Sequence, residues 1–144
     1  MSPALKSHFA DYSTFHATPG NQACHYVAVP VIVLTVFALL AQVELFTVGA
    51  FTVTLAEVLI VLATAYYLTL DTGLALLMLA ASILCAWAGR FIPPMVALGL
   101  FIGAWVLQFV GHYVYEHRSP AFFRNLTHLL VGPLWVLAKA TRRA

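Results

Sequence analysis

Two short motifs near opposite ends of the chain hold four of its six histidines together with a carboxylate. The first is His16-x-x-Pro19-x-Asn21-x-x-x-His25. The second is Gln108-Phe109-Val110-Gly111-His112-x-x-x-Glu116-His117-Arg118-x-Pro120-Ala121. The stretch between them is almost wholly apolar. Histidine and carboxylate groups are costly in or beside hydrocarbon, so a chain that keeps several there has a use for them. His112 and Glu116 stand at i and i+4, which on an α-helix projects both from one face, a turn apart. Gln108, one turn earlier on the same stripe, is placed to orient a ligand, whereas His117 points elsewhere. Pro19 interrupts the chain, and Asn21 is expected to cap the helix that follows. That puts His25 in a first helical turn and leaves His16 on a loop or short helix before it. The reading is a metal site with His16, His25 and His112 as ligands and Glu116 as a fourth ligand or a partner of one. Imidazole with carboxylate suits Fe(II), Zn(II) or Mn(II), and open positions are typical of mononuclear iron oxygenases.

Something must bring these motifs together, and composition says what kind of body does it. Of 144 residues, 62% are hydrophobic and only 8% charged, and the mean hydropathy is +0.93. Soluble domains carry about 25% charged residues. The expected class is an all-α integral membrane protein in a single domain, residues 1–144. Its four transmembrane helices run over about 26–43, 51–70, 72–89 and 93–115, each near the ~20 residues a crossing needs. Short links make neighbouring spans antiparallel. The segment over about 121–139 is too short and is split by Gly132-Pro133, so it is expected to lie in the interface, as is the N-terminal helical segment. About 25 mostly polar residues precede the first apolar run, and no cleavable signal peptide is expected.

No basic residue occurs between Lys6 and Arg90, whereas Arg118, Arg124, Lys139, Arg142 and Arg143 all follow the last span. With an even number of spans, the positive-inside rule puts both termini in the cytoplasm. The expected location is the bacterial inner membrane, or the endoplasmic reticulum membrane in a eukaryote. The same parity brings both motifs to one membrane face. A net charge of +2 and no basic patch interleaved with aromatics argue against a nucleic-acid partner.

Plainer readings compete at several positions. His8 and His128 fit headgroup contacts or helix caps, and Glu116 could pair simply with Arg118 or Arg124. Cys24 and Cys85 read as buried apolar residues. Trp87, Trp105 and Trp135 read as interfacial anchors or packing. Glu57 falls inside the second predicted span without a basic partner, which fits either a neutral hydrogen-bonded acid or one that moves ions.

The second motif extends to Trp105-x-x-Gln108-Phe109-x-Gly111-His112-x-x-x-Glu116-x-Arg118-x-Pro120-Ala121 and then Asn125-Leu126. Together with Phe15-His16-x-x-Pro19-x-Asn21-x-x-x-His25 it resembles the fungal 2-hydroxy fatty acid dioxygenase of phytosphingosine breakdown and its bacterial relatives, the Mpo1-like family. The resemblance covers nearly the whole chain. It implies an Fe(II)-dependent membrane enzyme of fatty acid α-oxidation, with a long-chain 2-hydroxy fatty acid and O2 as substrates. It also implies that His16, His25, His112 and Glu116 carry the metal and the chemistry. Asn21, Gln108, His117, Arg118 and His128 remain weaker candidates for contacts to substrate or ligands. Such a reaction balances as 2-hydroxy acid plus O2 giving the shortened acid, CO2 and water, so no nicotinamide, flavin or 2-oxoglutarate site is required. Two other classes stay open: a small transporter driven through Glu57, and a membrane cytochrome with His25 and His112 as axial haem ligands. A di-iron desaturase is disfavoured, since neither H-x-x-x-H nor H-x-x-H-H occurs.

Overall fold

Pro3 and Pro19 each stand where a helix can begin, because the amide hydrogen proline lacks would be unpaired there. In the computed structural model, which describes residues 1–143, both positions open helices. Helix α1 (Pro3–Thr14) starts behind Ser2, whose hydroxyl accepts the Leu5 amide at 3.1 Å. Helix α2 (Pro19–Leu40) follows after a four-residue link. Strands β1 (Glu44–Val48) and β2 (Phe51–Thr54) come next, then α3 (Leu55–Leu70), α4 (Thr72–Gly89) and α5 (Pro94–Val110). A π-helical turn (Gly111–Tyr115), a 3-10 turn (Ala121–Phe123) and α6 (His128–Ala140) complete the described chain.

Among the described residues, three helices are long and apolar enough to cross a membrane: α2, α4, and α5 continued through the π turn, Pro94–Tyr115. At ~1.5 Å per residue, the 16 residues of α3 rise about 24 Å, short of ~30 Å of hydrocarbon. Helix length therefore gives three spans where the sequence predicts four. The shortfall has a local cause. Phe51-Thr52-Val53-Thr54, expected to open the second span, are mostly β-branched and pair antiparallel with β1 across a turn in which Gly49 adopts φ +62°. Thr54 then starts the helix afresh. Its hydroxyl accepts the Ala56 amide at 3.2 Å while Glu57 reaches back to the Thr54 amide at 2.8 Å. The last predicted segment is likewise two elements, a 3-10 turn and α6.

The chain divides into two compact units. One comprises Val31–Ile102. Here Phe37, Ala56 and Ala86 form the buried centre, with Val33, Leu40, Leu59 and Ile60 packed on them. Gly89 lies so close to α2 that an added Cβ would stand 2.8 Å from the Ala38 Cα. Val61, Leu62, Ile83 and Leu84 are exposed apolar side chains, as a lipid-facing surface requires. Glu57 corrects the sequence reading. It sits in the first turn of α3, bonded to Thr54, and the Arg90 guanidinium pairs with it at 2.9 Å. It is not a solitary acid in mid-span.

The other unit comprises Met1–Pro30 with Gly103–Ala144. Leu5, Phe9 and Tyr12 of α1 and Val131, Leu134 and Trp135 of α6 make its apolar core. Polar residues are buried beside them: His16, Asn21, His25, Gln108, His112 and His128. Both sequence motifs belong to this unit.

Candidate metal centre

The link between α1 and α2 carries His16. Helix α2 is capped by Thr18, not by Asn21 as the sequence suggests, because Pro19 takes the first helical position and the Thr18 hydroxyl accepts the Asn21 amide at 3.4 Å. Asn21 is thereby carried inside the helix, fully buried, and His25 lies one turn beyond it. His112 comes from the π turn, where the amide of Glu116 bonds to the Gly111 carbonyl at 3.1 Å. The α-helical i, i+4 relation expected for His112 and Glu116 is replaced by this wider turn. π-turns recur at functional sites because the extra residue redirects a side chain.

The three imidazoles converge. Their ring centroids are 4.2 Å (His16–His25), 4.8 Å (His16–His112) and 4.9 Å (His25–His112) apart, with interplanar angles of 78°, 71° and 89°. One nitrogen from each lies within 4.8 Å of the others, and all three side chains are buried. The backbone fixes which nitrogens are available. His16 Nδ1 lies 2.7 Å from the Tyr12 carbonyl and His25 Nδ1 lies 2.9 Å from the Asn21 carbonyl. A carbonyl only accepts, so both Nδ1 atoms carry protons and both Nε2 atoms present lone pairs. Those two Nε2 atoms face each other at 3.0 Å. Two acceptors at that distance repel unless a proton or a metal ion lies between them. Burial first, then repulsion from His25, lowers the His16 pKa to about 3, so its imidazole is neutral near pH 7.

The donors fit a metal. Ligands ~2.1 Å from an ion and at right angles to each other stand about 3.0 Å apart, the separation seen here. An imidazole ligand normally donates its other N–H to a carbonyl or carboxylate, as His16 and His25 do. His112 Nδ1 is buried and has no hydrogen-bond partner among the described residues, so no hydrogen bond there ties up a nitrogen of this third, neutral imidazole.

Glu116 is not one of the three converging residues, and its carboxylate accepts four hydrogen bonds. Oε1 accepts the Ala17 amide at 3.0 Å, while Oε2 accepts the Thr18 amide (3.0 Å), the Thr18 hydroxyl (2.8 Å) and Asn21 Nδ2 (3.1 Å). Desolvation of the carboxylate opposes ionisation, but the bonds from Thr18, Ala17 and Asn21 outweigh it and hold the pKa at about 2. The acid thus ties the end of the second motif to the link that bears His16. Asn21 Nδ2 also donates to the Phe15 carbonyl at 2.9 Å, and Gln22 Nε2 to that of His16 at 2.8 Å. Close approach is made possible by glycine. A Cβ on Gly111 would meet Asn21 Oδ1 at 2.5 Å and Cys24 Cβ at 3.0 Å, and one on Gly20 would overlap the Tyr115 ring.

The weaker candidates are placed differently. Gln108 is buried. His117 is exposed, at φ +54°. Arg118 donates to the Thr14 carbonyl at 3.4 Å. His128 pairs with Asp11 at 2.8 Å, and its ring lies 5.6 Å from that of Tyr12. Three contributors escaped the sequence reading: Tyr12, Thr18 and Gln22. Tyr12 stacks on His16 at 3.9 Å and supplies the carbonyl that fixes its tautomer. The available signal was spacing, since Tyr12 precedes His16 by four residues as Asn21 precedes His25.

A mostly helical chain with membrane-length apolar helices and a buried three-histidine group able to hold a metal defines a class. Residues 3–144 match the Mpo1-like family, described as "2-hydroxy-palmitic acid dioxygenase Mpo1-like". The chain is also 34% identical to the 2-hydroxy-palmitic acid dioxygenase MPO1 of Saccharomyces cerevisiae, over an alignment of 142 residues covering 92% of this chain and 77% of the yeast protein. It belongs to the Mpo1-like family. No solved structure matches it significantly.

Proposed function

We propose that this protein is an Fe(II)-dependent membrane dioxygenase of fatty acid α-oxidation, which uses O2 to shorten a long-chain 2-hydroxy fatty acid by one carbon. The observation that carries this reading is the facing pair of His16 and His25 lone pairs, with His112 beside them, in a member of this family. The yeast relative's name supplies the substrate class.

His16, His25 and His112 would hold the ion, and three protein ligands leave positions over for substrate and O2. Bound iron supplies redox activation of O2 and an anchor for the hydroxyl and carboxylate oxygens of the substrate. The protein's own residues do the rest. The Tyr12 and Asn21 carbonyls keep the Nδ1 protons in place and so keep Nε2 free to bind. Glu116 fixes the His16 link while remaining anionic, acting as a positioning residue and not as a fourth ligand. Burial of all three imidazoles keeps bulk water from the reacting atoms. His25 and His112 lie near the start of α2 and the end of α5, at the level where an amphiphile's head rests while its tail stays in hydrocarbon.

The other classes lose their footing. Glu57 closes the capping box behind Thr54 and pairs with Arg90, which removes the solitary acid a transporter required. The His25 and His112 rings stand only 4.9 Å apart and nearly perpendicular, too close for a porphyrin plane to lie between them as axial ligands. The test is direct. Metal-stripped protein is reconstituted with Fe(II), Zn(II) or Mn(II) and incubated with 2-hydroxypalmitic acid, with and without O2, and products are read by mass spectrometry. The shortened acid should form only with Fe(II) and O2. Equal product without O2, or none with iron across several chain lengths, overturns the reading.

A further inference from the structure

Helices α1 and α6 pack together beside the metal centre, and their residues line an open surface groove of about 220 Å3 that the proposed reaction does not use. Met1, Lys6, Phe9, Ala10, Ser13, Trp135 and Lys139 line it. Phe9 and Trp135 are buried and give it an apolar floor. The only charged side chains in the lining are two lysines, one from each helix. Lys139 Nζ stands 5.5 Å from the Trp135 ring centroid, a cation–π contact that holds the ammonium over the floor. Ser13 Oγ accepts Trp135 Nε1 at 3.3 Å, so its own hydroxyl proton is left to donate outward. Asp11 is the one carboxylate on either helix, and it is held by His128 at 2.8 Å.

The basic character continues past α6. Arg142 adopts φ +56°, its amide bonds to the Lys139 carbonyl at 3.1 Å, and the Arg143 amide bonds to that of Ala138 at 2.7 Å. This is a Schellman closure with arginine at the position glycine normally fills. It holds Arg142 and Arg143 at the end of the helix that carries Lys139. At ~1.5 Å per residue neither α1 nor α6 reaches 20 Å, so neither spans a bilayer. They adjoin, along the chain, the two span ends that bear His25 and His112, which is the depth of lipid headgroups.

We infer that this groove binds the phosphate headgroup of an anionic membrane phospholipid, with Lys6, Lys139 and the Ser13 hydroxyl on the phosphate and Phe9 and Trp135 under the first methylenes. Clustered basic groups beside apolar surface at this depth attract anionic lipid at ~1 kcal/mol per charge, or about five-fold in affinity for each lysine. The inference does not depend on the metal or the reaction. Whole protein in mild detergent is titrated with phosphatidylglycerol or phosphatidylcholine, and bound lipid is counted by native mass spectrometry. The inference requires one phosphatidylglycerol retained in preference to phosphatidylcholine. Lys6→Gln and Lys139→Gln should each weaken it about five-fold, while Lys139→Arg should keep it. All variants should match the parent in thermal melting and in metal content, which separates this site from the histidine cluster. Equal retention of the two lipids, or glutamine variants that bind as the parent does, overturns the proposal. Displacement by millimolar inorganic phosphate would show a free-anion site instead, and displacement by equimolar palmitate a carboxylate site; either also overturns it.

Discussion

An imidazole can offer one nitrogen to a metal only if the other keeps its proton, and here two main-chain carbonyls enforce that division. Metal content should therefore respond differently to two kinds of substitution. His112→Ala or His16→Ala removes a donor and should abolish most bound metal, read by elemental analysis of purified protein. Glu116→Gln leaves the three donors intact but removes the charge that accepts four hydrogen bonds from Ala17, Thr18 and Asn21. It should weaken metal binding or activity by about 10–100-fold, the usual effect of losing a partner one step removed from the ion. His117→Ala should leave metal affinity unchanged, since the side chain is exposed and outside the cluster. Full occupancy in His112→Ala would sink the ligand set. Complete loss in Glu116→Gln with an intact fold would make the acid a ligand after all.

Elements decide whether these side chains can meet. The approach of α2 to the π turn requires glycine at 111, because any Cβ there collides with Asn21 and Cys24. Gly111→Ala should destabilise the protein by about 1–3 kcal/mol, the ordinary cost of overpacking, and loosen metal binding with it. A Gly111→Ala protein that melts and binds metal like the parent would show that the helices part without consequence. In the other unit, Thr54→Ala removes the α3 cap and should cost about 1 kcal/mol, measured by thermal unfolding, with metal content unchanged. What was legible in the sequence follows from the same physics. Prolines, apolar runs and the polar motifs announced α2, α4, α5 and the histidines, because each signal is local. The start of the second span differs from the expectation because Phe51–Thr54 are apolar enough for a membrane helix yet β-branched enough to pair with β1, and only the capping box at Thr54 decides between them. The π turn left no local mark, since one extra residue in a helix is fixed by packing against Asn21. Glu57 could not be paired with Arg90 from sequence, because the two lie 33 residues apart.

For the molecule as a whole, the metal centre constrains the membrane topology. His25 near the start of α2 and His112 near the end of α5 touch within one unit, so those two helix ends lie on one membrane face. If α2 and α5 both cross, the chain leaves that face along one and returns along the other. Whatever lies between must then cross an even number of times. Helix α4 has the length to cross alone, whereas α3 does not. Parity therefore requires α3, lengthened by the hairpin before it or accommodated by local thinning of the bilayer, to cross as well. The alternative is that neither α3 nor α4 crosses, but α4 is as apolar as an ordinary span, and its exposed Leu76, Ile83 and Leu84 would then meet water. The expected outcome is four crossings, with both termini on the same side. The basic residues at 118, 124, 139, 142 and 143 predict that side to be the cytoplasm by the positive-inside rule. Reporter fusions after Ala144 and before Met1 should both report cytoplasmic, and a single cysteine placed in the Asp71 link should react with an impermeant reagent only from inside. Labelling of the link from outside would remove α3 as a crossing. Termini on opposite faces would be fatal to more than the topology, since the three histidines could then not share a site.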